Sequence, residues 1–365
     1  MIETLGRRLR DEVDLVGLAG GRPEDIRYLC IPGSVEGGTT TLLGFLGGQR
    51  RPAFVVKIQR DASERELVER ERMVLDALQA RDDELRSSVP RVLFCGPVGG
   101  FWVLVESMLE GSPMAATLSA EGLPELAGAR RDMALAVDWL IACHRGGAAG
   151  REARTGDWAE LALAPIAEFL EVFEPSREEQ SYLQDLRRAV ERRRECWVPL
   201  VVRHGDFCRH NILLSGRHGE WRIGVIDWTF SRPVGLPLHD LVFFLATYGL
   251  QVRREHGVAG LERMFESTFL QPSAYSRLVA DCLVRYCRAL GIDRSLVPEL
   301  FATCLIEQAL FEYRQVARAM ARGRAPRFAM FLAACEERGY HEAPKAQLWR
   351  RFFRRFAHAP SRLLA

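Results

Sequence analysis

Between Leu200 and Asp227 the chain reads LVVRHGDFCRHNILLSGRHGEWRIGVID. Three short apolar runs (LVV, ILL and WRIGVID) are separated by a polar knot and by the turn SGRHGE, the pattern of a β-hairpin with one strand before it. Both flanks of this island carry helical periodicity. The chain must therefore hold a small β-element inside a helical region and place His204, Asp206, Arg209, His210 and Asn211 in a loop beside buried strands. Such a knot is costly to bury unless its polar groups find partners.

The hairpin folds the chain back, so Asp227 at the end of WRIGVID should return close to Asn211. One carboxylate and one carboxamide oxygen form an oxygen-rich, incomplete set that suits Mg2+ already holding phosphate oxygens. Asp206 is then left to accept a proton from an attacking hydroxyl, since phosphoryl transfer needs mainly positioning and charge neutralisation. The bland reading is a loop whose Asx residues stabilise their own turn. His204 reads as a buried structural histidine bonding loop carbonyls. Phe207 and Trp228 read as packing around the hairpin, Cys208 as an inert small residue, and Arg209 and His210 as solvated or in contact with a substrate or phosphate.

Upstream, Tyr28 to Ile58 reads as three strands, YLCIPGS, TTTLLGFL and PAFVVKI, punctuated by VEGG and GGQRR. ASERELVERERMVLDALQA follows, with Leu67, Val74, Leu75 and Leu78 on one helical face and Ser63 and Glu66 at capping-box spacing. PRVLFCG and GFWVLVESM add two strands around the turn PVGG. After LEGSP the character turns helical: Leu126 to His144, Trp158 to Phe173, Arg177 to Cys196, and from about Leu241 onward. The division expected is 1–108, an antiparallel sheet with one helix, and 109–365, mainly helical with the catalytic loop. The fold class is α+β.

Of fifty basic residues only two are lysines, Lys57 and Lys345. A chain that writes Arg for nearly every cation, yet keeps Lys inside an apolar strand, marks a place for a compact ammonium. From Leu241 onward, 19 basic against 11 acidic residues leave +8, and the first 240 residues, 31 against 37, leave −6. A basic final third suits anionic partners or simply Arg-rich helix faces in water. Nine cysteines include no CxxC pair or His/Cys cluster, which argues against zinc and a disulfide framework and for a reducing cytoplasm. Met1 to Val13 is charged and does not read as a signal peptide, and no run approaches the ~18 apolar residues of a membrane span.

These parts together resemble the aminoglycoside phosphotransferase and choline kinase group of small-molecule kinases, which share a bilobal protein-kinase-like fold. HGDFCRHN is similar to that group's H-G-D-x4-N loop, IDW stands in the place of D-F-G, VVK resembles the V-A-I-K strand, PLHDL resembles the Asp-Leu pair that follows, and ACHRG with His144 its Leu-His helix end. Thr229 in place of the D-F-G glycine, His204-Gly205-Asp206 in place of His-Arg-Asp, and the lack of an A-P-E segment point away from a protein kinase. The resemblance implies ATP and Mg2+ as nucleotide and metal and a small-molecule hydroxyl as acceptor. It implies Asp206 as base, Asn211 and Asp227 as metal ligands, and Lys57 on the α/β-phosphates, paired with Glu71 or its competitor Glu69. Asp240 supports the loop. Ser34 and Gly37 in IPGSVEGG would cover the phosphates, and Glu106, Ser107 and Met108 would offer backbone groups to adenine.

The acceptor classes open are a sugar, an amino alcohol or an aminoglycoside. The basic final third disfavours polycations, and Trp158, Tyr248, Tyr286 and Tyr313 are the aromatics available for a choline cage. The expected partners are nucleotide and small molecule, with no nucleic acid. A reading from another class is a catalytically silent nucleotide-binding scaffold working through its tail. In QLWRRFFRRFAHAP, a helix expected at about 345–357, Leu348, Trp349, Phe352, Phe353 and Phe356 share a face opposite four arginines. That pattern suits a membrane surface or docking on the helical lobe.

Overall fold

The computed structural model of the 365-residue chain describes residues 1–19, 22–31, 39–59, 65–81, 84–116, 125–147, 157–216, 220–252, 258–321 and 348–363. They form two compact units, one of 1–114 with 210–233 and one of 115–209 with 234–365. The hairpin after the polar knot thus groups with the sheet rather than with the helices.

The first unit opens with helices α1 (Ile2–Glu12) and α2 (Leu15–Ala19). Strands β1 (Arg22–Ile31), β2 (Thr39–Gly47), β3 (Phe54–Gln59), β4 (Val92–Val98) and β5 (Phe101–Ser107) make one antiparallel sheet in the order β1-β2-β3-β5-β4. β1 starts earlier than its apolar pattern suggests, because Arg22 still pairs with Gly47 across a bulge. Alternation along β3 sorts its side chains onto two faces. Phe54, Val56 and Ile58 join Leu5, Leu9, Leu46, Val103 and Val105 in the core. Lys57 is thereby sent to the opposite face, where α3 (Arg65–Gln79) lies with Val68, Val74, Leu75 and Leu78 buried. A second, small sheet joins β6 (Ser112–Pro113), β8 (Ile212–Ser215) and β9 (Arg222–Val225). Gly111 is needed at its approach to β8: its φ is +141°, and a Cβ there would lie 2.9 Å from the Leu214 carbonyl oxygen.

The second unit is helical: α4 (Glu125–Arg145), α5 (Asp157–Val172), α6 (Arg177–Arg192), α7 (His239–Val252), α8 (Val258–Phe269), α9 (Ala274–Leu290), α10 (Val297–Ala321) and α11 (Leu348–His358), with β7 (Val201–Arg203) before the polar knot. α11 settles the two readings of the tail. Phe352, Phe353 and Phe356 are wholly buried. Phe352 stacks on Phe265 at 4.5 Å and Phe353 meets Phe169 at 5.0 Å. Arg351 and Arg355 pair with Glu262, and Arg354 pairs with Glu179. The apolar face expected for a bilayer is covered by the protein's own helices. Among the described residues no helix is long and apolar enough to cross a membrane.

Candidate active site

In the first unit, Lys57 is the centre of an ionic cluster. Its Nζ pairs with Glu71, a contact made by α3, and lies 3.4 Å from Glu106 Oε1 and 3.6 Å from Asp227 Oδ1. Glu69, the competing acid on the same helix, instead pairs with Arg65 at 2.8 Å in water. The side chains of Lys57 and Glu71 are 10% and 2% exposed, whereas that of Asp227 is 50% exposed. The buried members hold the ammonium and Asp227 presents its carboxylate to solvent. The Thr229 hydroxyl donates to Asp227 Oδ1 at 2.8 Å, with Glu71 Oε2 as an alternative acceptor at 3.3 Å.

Three carboxylates around one ammonium are out of balance. Burial would lower the Lys57 pKa, but Glu106, Glu71 and Asp227 together hold it above its ordinary value. Burial, with the charges of Glu106 and Asp227 and against the pull of Lys57, pushes Glu71 up to about 8. The cluster therefore invites a further positive charge.

Asp227 carries φ +63°, a left-handed conformation uncommon for a residue other than Gly and often found at functional sites. The β8–β9 register pairs Ile212 with Val225, and the Ile226 N–H donates to the Asn211 carbonyl at 3.0 Å. Asn211 therefore sits across from the residue that precedes Asp227, as the hairpin argument requires. The accessible carboxylate of Asp227, one residue past the Asn211–Ile226 contact, is the kind of oxygen donor that suits a hard divalent cation keeping positions open for other oxygens. Among the described residues no group of three or more His, Cys, Asp and Glu is arranged to hold a metal on its own.

The second unit holds Asp206 on a loop fastened from behind. Asp240, 1% exposed, accepts the His204 N–H at 2.7 Å and the Gly205 N–H at 2.9 Å. Gly205 turns the loop with φ +82°. Burial works against the Asp240 charge, yet His144 and His239, each with a ring nitrogen 3.8 Å from a carboxylate oxygen, hold its carboxyl well below the usual carboxylate range. His144 Nδ1 is 2.5 Å from the Tyr286 hydroxyl, which accepts the Leu238 N–H at 3.5 Å. His204 is 1% exposed, and its Nδ1 accepts the Asp206 N–H at 3.2 Å. Phe207 stacks on Trp139 at 5.4 Å and meets Phe244 at 5.7 Å, which places it against helices α4 and α7. Trp228, by contrast, stays with the hairpin and donates to the Val225 carbonyl.

Other expected residues fall differently. Ser34 and Gly37 lie outside the described residues, as does Ser63. The Ser107 and Met108 N–H groups donate to the Arg91 and Ala53 carbonyls at 2.8 and 3.1 Å, so neither amide is held ready for a base. The candidate cage aromatics do not make a cage. Tyr248 is wholly buried with its hydroxyl 3.1 Å from Asp132 Oδ2, Tyr286 serves His144, Trp158 donates to the Arg194 carbonyl, and Tyr313 leans on Phe173. Two contributors escaped the sequence reading: the Glu106 side chain and the Tyr286 hydroxyl.

A five-stranded antiparallel sheet with one helix on its lysine face, followed by a mainly helical unit carrying the H-G-D loop, defines a protein-kinase-like α+β fold. The model of the phosphotransferase enzyme family matches residues 35–278, well over half of the chain, and the protein belongs to that family. Solved structures agree on the fold. A Ralstonia eutropha JMP134 protein provisionally described as an aminoglycoside phosphotransferase is 16% identical, with 97% of this chain and 98% of that one covered and a TM-score of 0.62. Choline kinase LicA from Streptococcus pneumoniae is 11% identical, with 99% of each chain covered and a TM-score of 0.51. No curated protein matches the sequence.

Proposed function

We propose that the protein is an ATP- and Mg2+-dependent phosphotransferase that moves the γ-phosphoryl group of ATP to a hydroxyl of a small molecule, of the sugar, amino alcohol or aminoglycoside kind. The observation that carries this reading is the Lys57 cluster. One of only two lysines in the chain is buried among Glu71, Glu106 and Asp227, with the one exposed carboxylate facing outward.

In this reading Lys57, steadied by Glu71, contacts the nucleotide's α/β-phosphates. Asn211 and Asp227 hold the Mg2+, whose contribution when bound is to neutralise charge on the phosphate oxygens. Asp206 orients the acceptor hydroxyl and takes its proton. The hydroxyl oxygen bonds to the γ-phosphorus as the bond to the β,γ-bridging oxygen breaks, and ADP departs with that electron pair. Asp240 keeps the loop in the conformation that aims Asp206.

The test separates binding from transfer. Asp206→Ala should bind Mg·ATP as the natural protein does, by calorimetry, yet lose ADP formation with an accepted substrate by roughly 10²–10⁴-fold, the usual contribution of a positioned base. Asp227→Ala should lose Mg2+-supported nucleotide binding. Undiminished turnover in Asp206→Ala refutes the role given to that residue.

A further inference from the structure

The reading above leaves one buried acid of the Lys57 cluster without a task. Glu106 is 3% exposed on β5. The β3–β5 register sets Lys57 opposite Leu104 and Val55 opposite Glu106. Opposite residues of an antiparallel pair share a face, so Glu106 is the diagonal neighbour of Lys57, within the reach of long side chains. Its Oε1 lies 3.4 Å from Nζ.

Glu71 gives the ammonium a buried acceptor with or without its proton. Asp227 is the cluster's exposed carboxylate, and its charge is the one a metal would take up. Glu106 puts a buried carboxylate 3.4 Å from the ammonium at the place where, on that reading, phosphate oxygens must come. Coulomb repulsion in such a site is far less screened than in water.

We propose that Glu106 is a positioning and specificity-determining residue that makes nucleotide binding depend on a divalent cation. With Glu71 it fixes the Lys57 ammonium before nucleotide arrives, and its charge opposes a polyphosphate that comes without a metal. A metal-bound polyphosphate, carrying two fewer negative charges, is opposed much less. The inference rests on the reading that Lys57 meets nucleotide phosphates, and it adds a residue whose effect appears in binding rather than in chemistry.

The experiment measures ADP binding to the whole protein by calorimetry, in EDTA and in Mg2+, for the natural chain and for Glu106→Gln. Gln keeps the shape and an acceptor oxygen while removing the charge. The expected result is that metal-free ADP binds at least about 10-fold more tightly to Glu106→Gln, the size that loss of one nearby charge implies at an effective dielectric of about 20. Mg·ADP affinity should change less than about 3-fold, so that the gain in affinity conferred by Mg2+ shrinks. Glu106→Met, similar in volume and uncharged, should shift metal-free binding in the same direction, which assigns the effect to charge rather than packing. Equal metal-free affinity in the natural chain and Glu106→Gln overturns the proposal while leaving the nucleotide reading intact, and so does a shift in only one of the two variants. Failure of the natural chain to bind ADP in either buffer overturns the nucleotide reading and this proposal with it.

Discussion

Two buried ionic arrangements in this molecule are built to opposite plans. Around Lys57, three carboxylates share one ammonium and one of them faces solvent. Around Asp240, one carboxylate accepts two loop amides and faces two histidines, and His144 is in turn held by Tyr286. The first is unbalanced and open to solvent; the second is closed, with both oxygens of its central carboxylate taken by loop amides and, of its described members, only the His239 Nδ1 left without a hydrogen-bond partner. Buried polar networks hold a conformation more firmly the more of their members are partnered. The Asp240 network therefore suits a fixed support, and the Lys57 cluster suits a place where charge must arrive and leave.

Breaking the closed network should cost most. Asp240→Ala strips the acceptor from the His204 and Gly205 amides, and the loss should reach about 3–5 kcal/mol in urea denaturation, as for removal of one partner from a buried charged group. A smaller change sharpens the point. Tyr286→Phe removes one hydroxyl from the far end of the network, leaves His144 and the Leu238 N–H short of a partner, and should cost about 1–3 kcal/mol. Glu71→Gln is the counter-case in the open cluster. It replaces a carboxyl that burial keeps largely protonated at neutral pH with an amide of the same shape that still offers Lys57 an acceptor, and its cost at neutral pH should stay under about 1 kcal/mol.

The two regions should also respond oppositely to pH. Asp240 has a folded-state pKa below its ordinary 3.8. The stability it contributes is complete above that value and is lost as pH falls towards the folded pKa. Glu71 is the reverse, raised from 4.5 to about 8. The folded state binds the extra proton, so this contribution is present below 4.5 and declines as pH rises to about 8. Denaturation midpoints followed across pH should therefore show Asp240→Asn losing the acid limb and Glu71→Gln losing the slope between 4.5 and 8.

Much of this was legible before any coordinates. The resemblance to the kinase group implied a pairing of Lys57 with an acid of the following helix, helix phase favoured Glu71 over Glu69, and the scarcity of lysine marked Lys57 on composition alone. The hairpin spacing brought Asn211 and Asp227 together. Glu106 was not legible in its side-chain role, because that depends on the β3–β5 register, and α3 and β4 separate those strands in the chain. Tyr286 stands 142 residues from His144, and no local pattern joins them. The tail was ambiguous for a physical reason: an apolar face looks the same whether lipid or protein covers it. The acids that receive its arginines, Glu179 and Glu262, sit on two other helices.

The central claim is that this chain transfers phosphate to a small molecule by means of Asp206. The most direct measurement incubates the protein with Mg·ATP and a mixed metabolite extract and follows, by mass spectrometry, any compound that gains a phosphate. The account predicts at least one hydroxyl-bearing metabolite phosphorylated by the natural chain and left unmodified by Asp206→Ala. Equal phosphorylation by both proteins, or none from a protein that binds Mg·ATP, would contradict it.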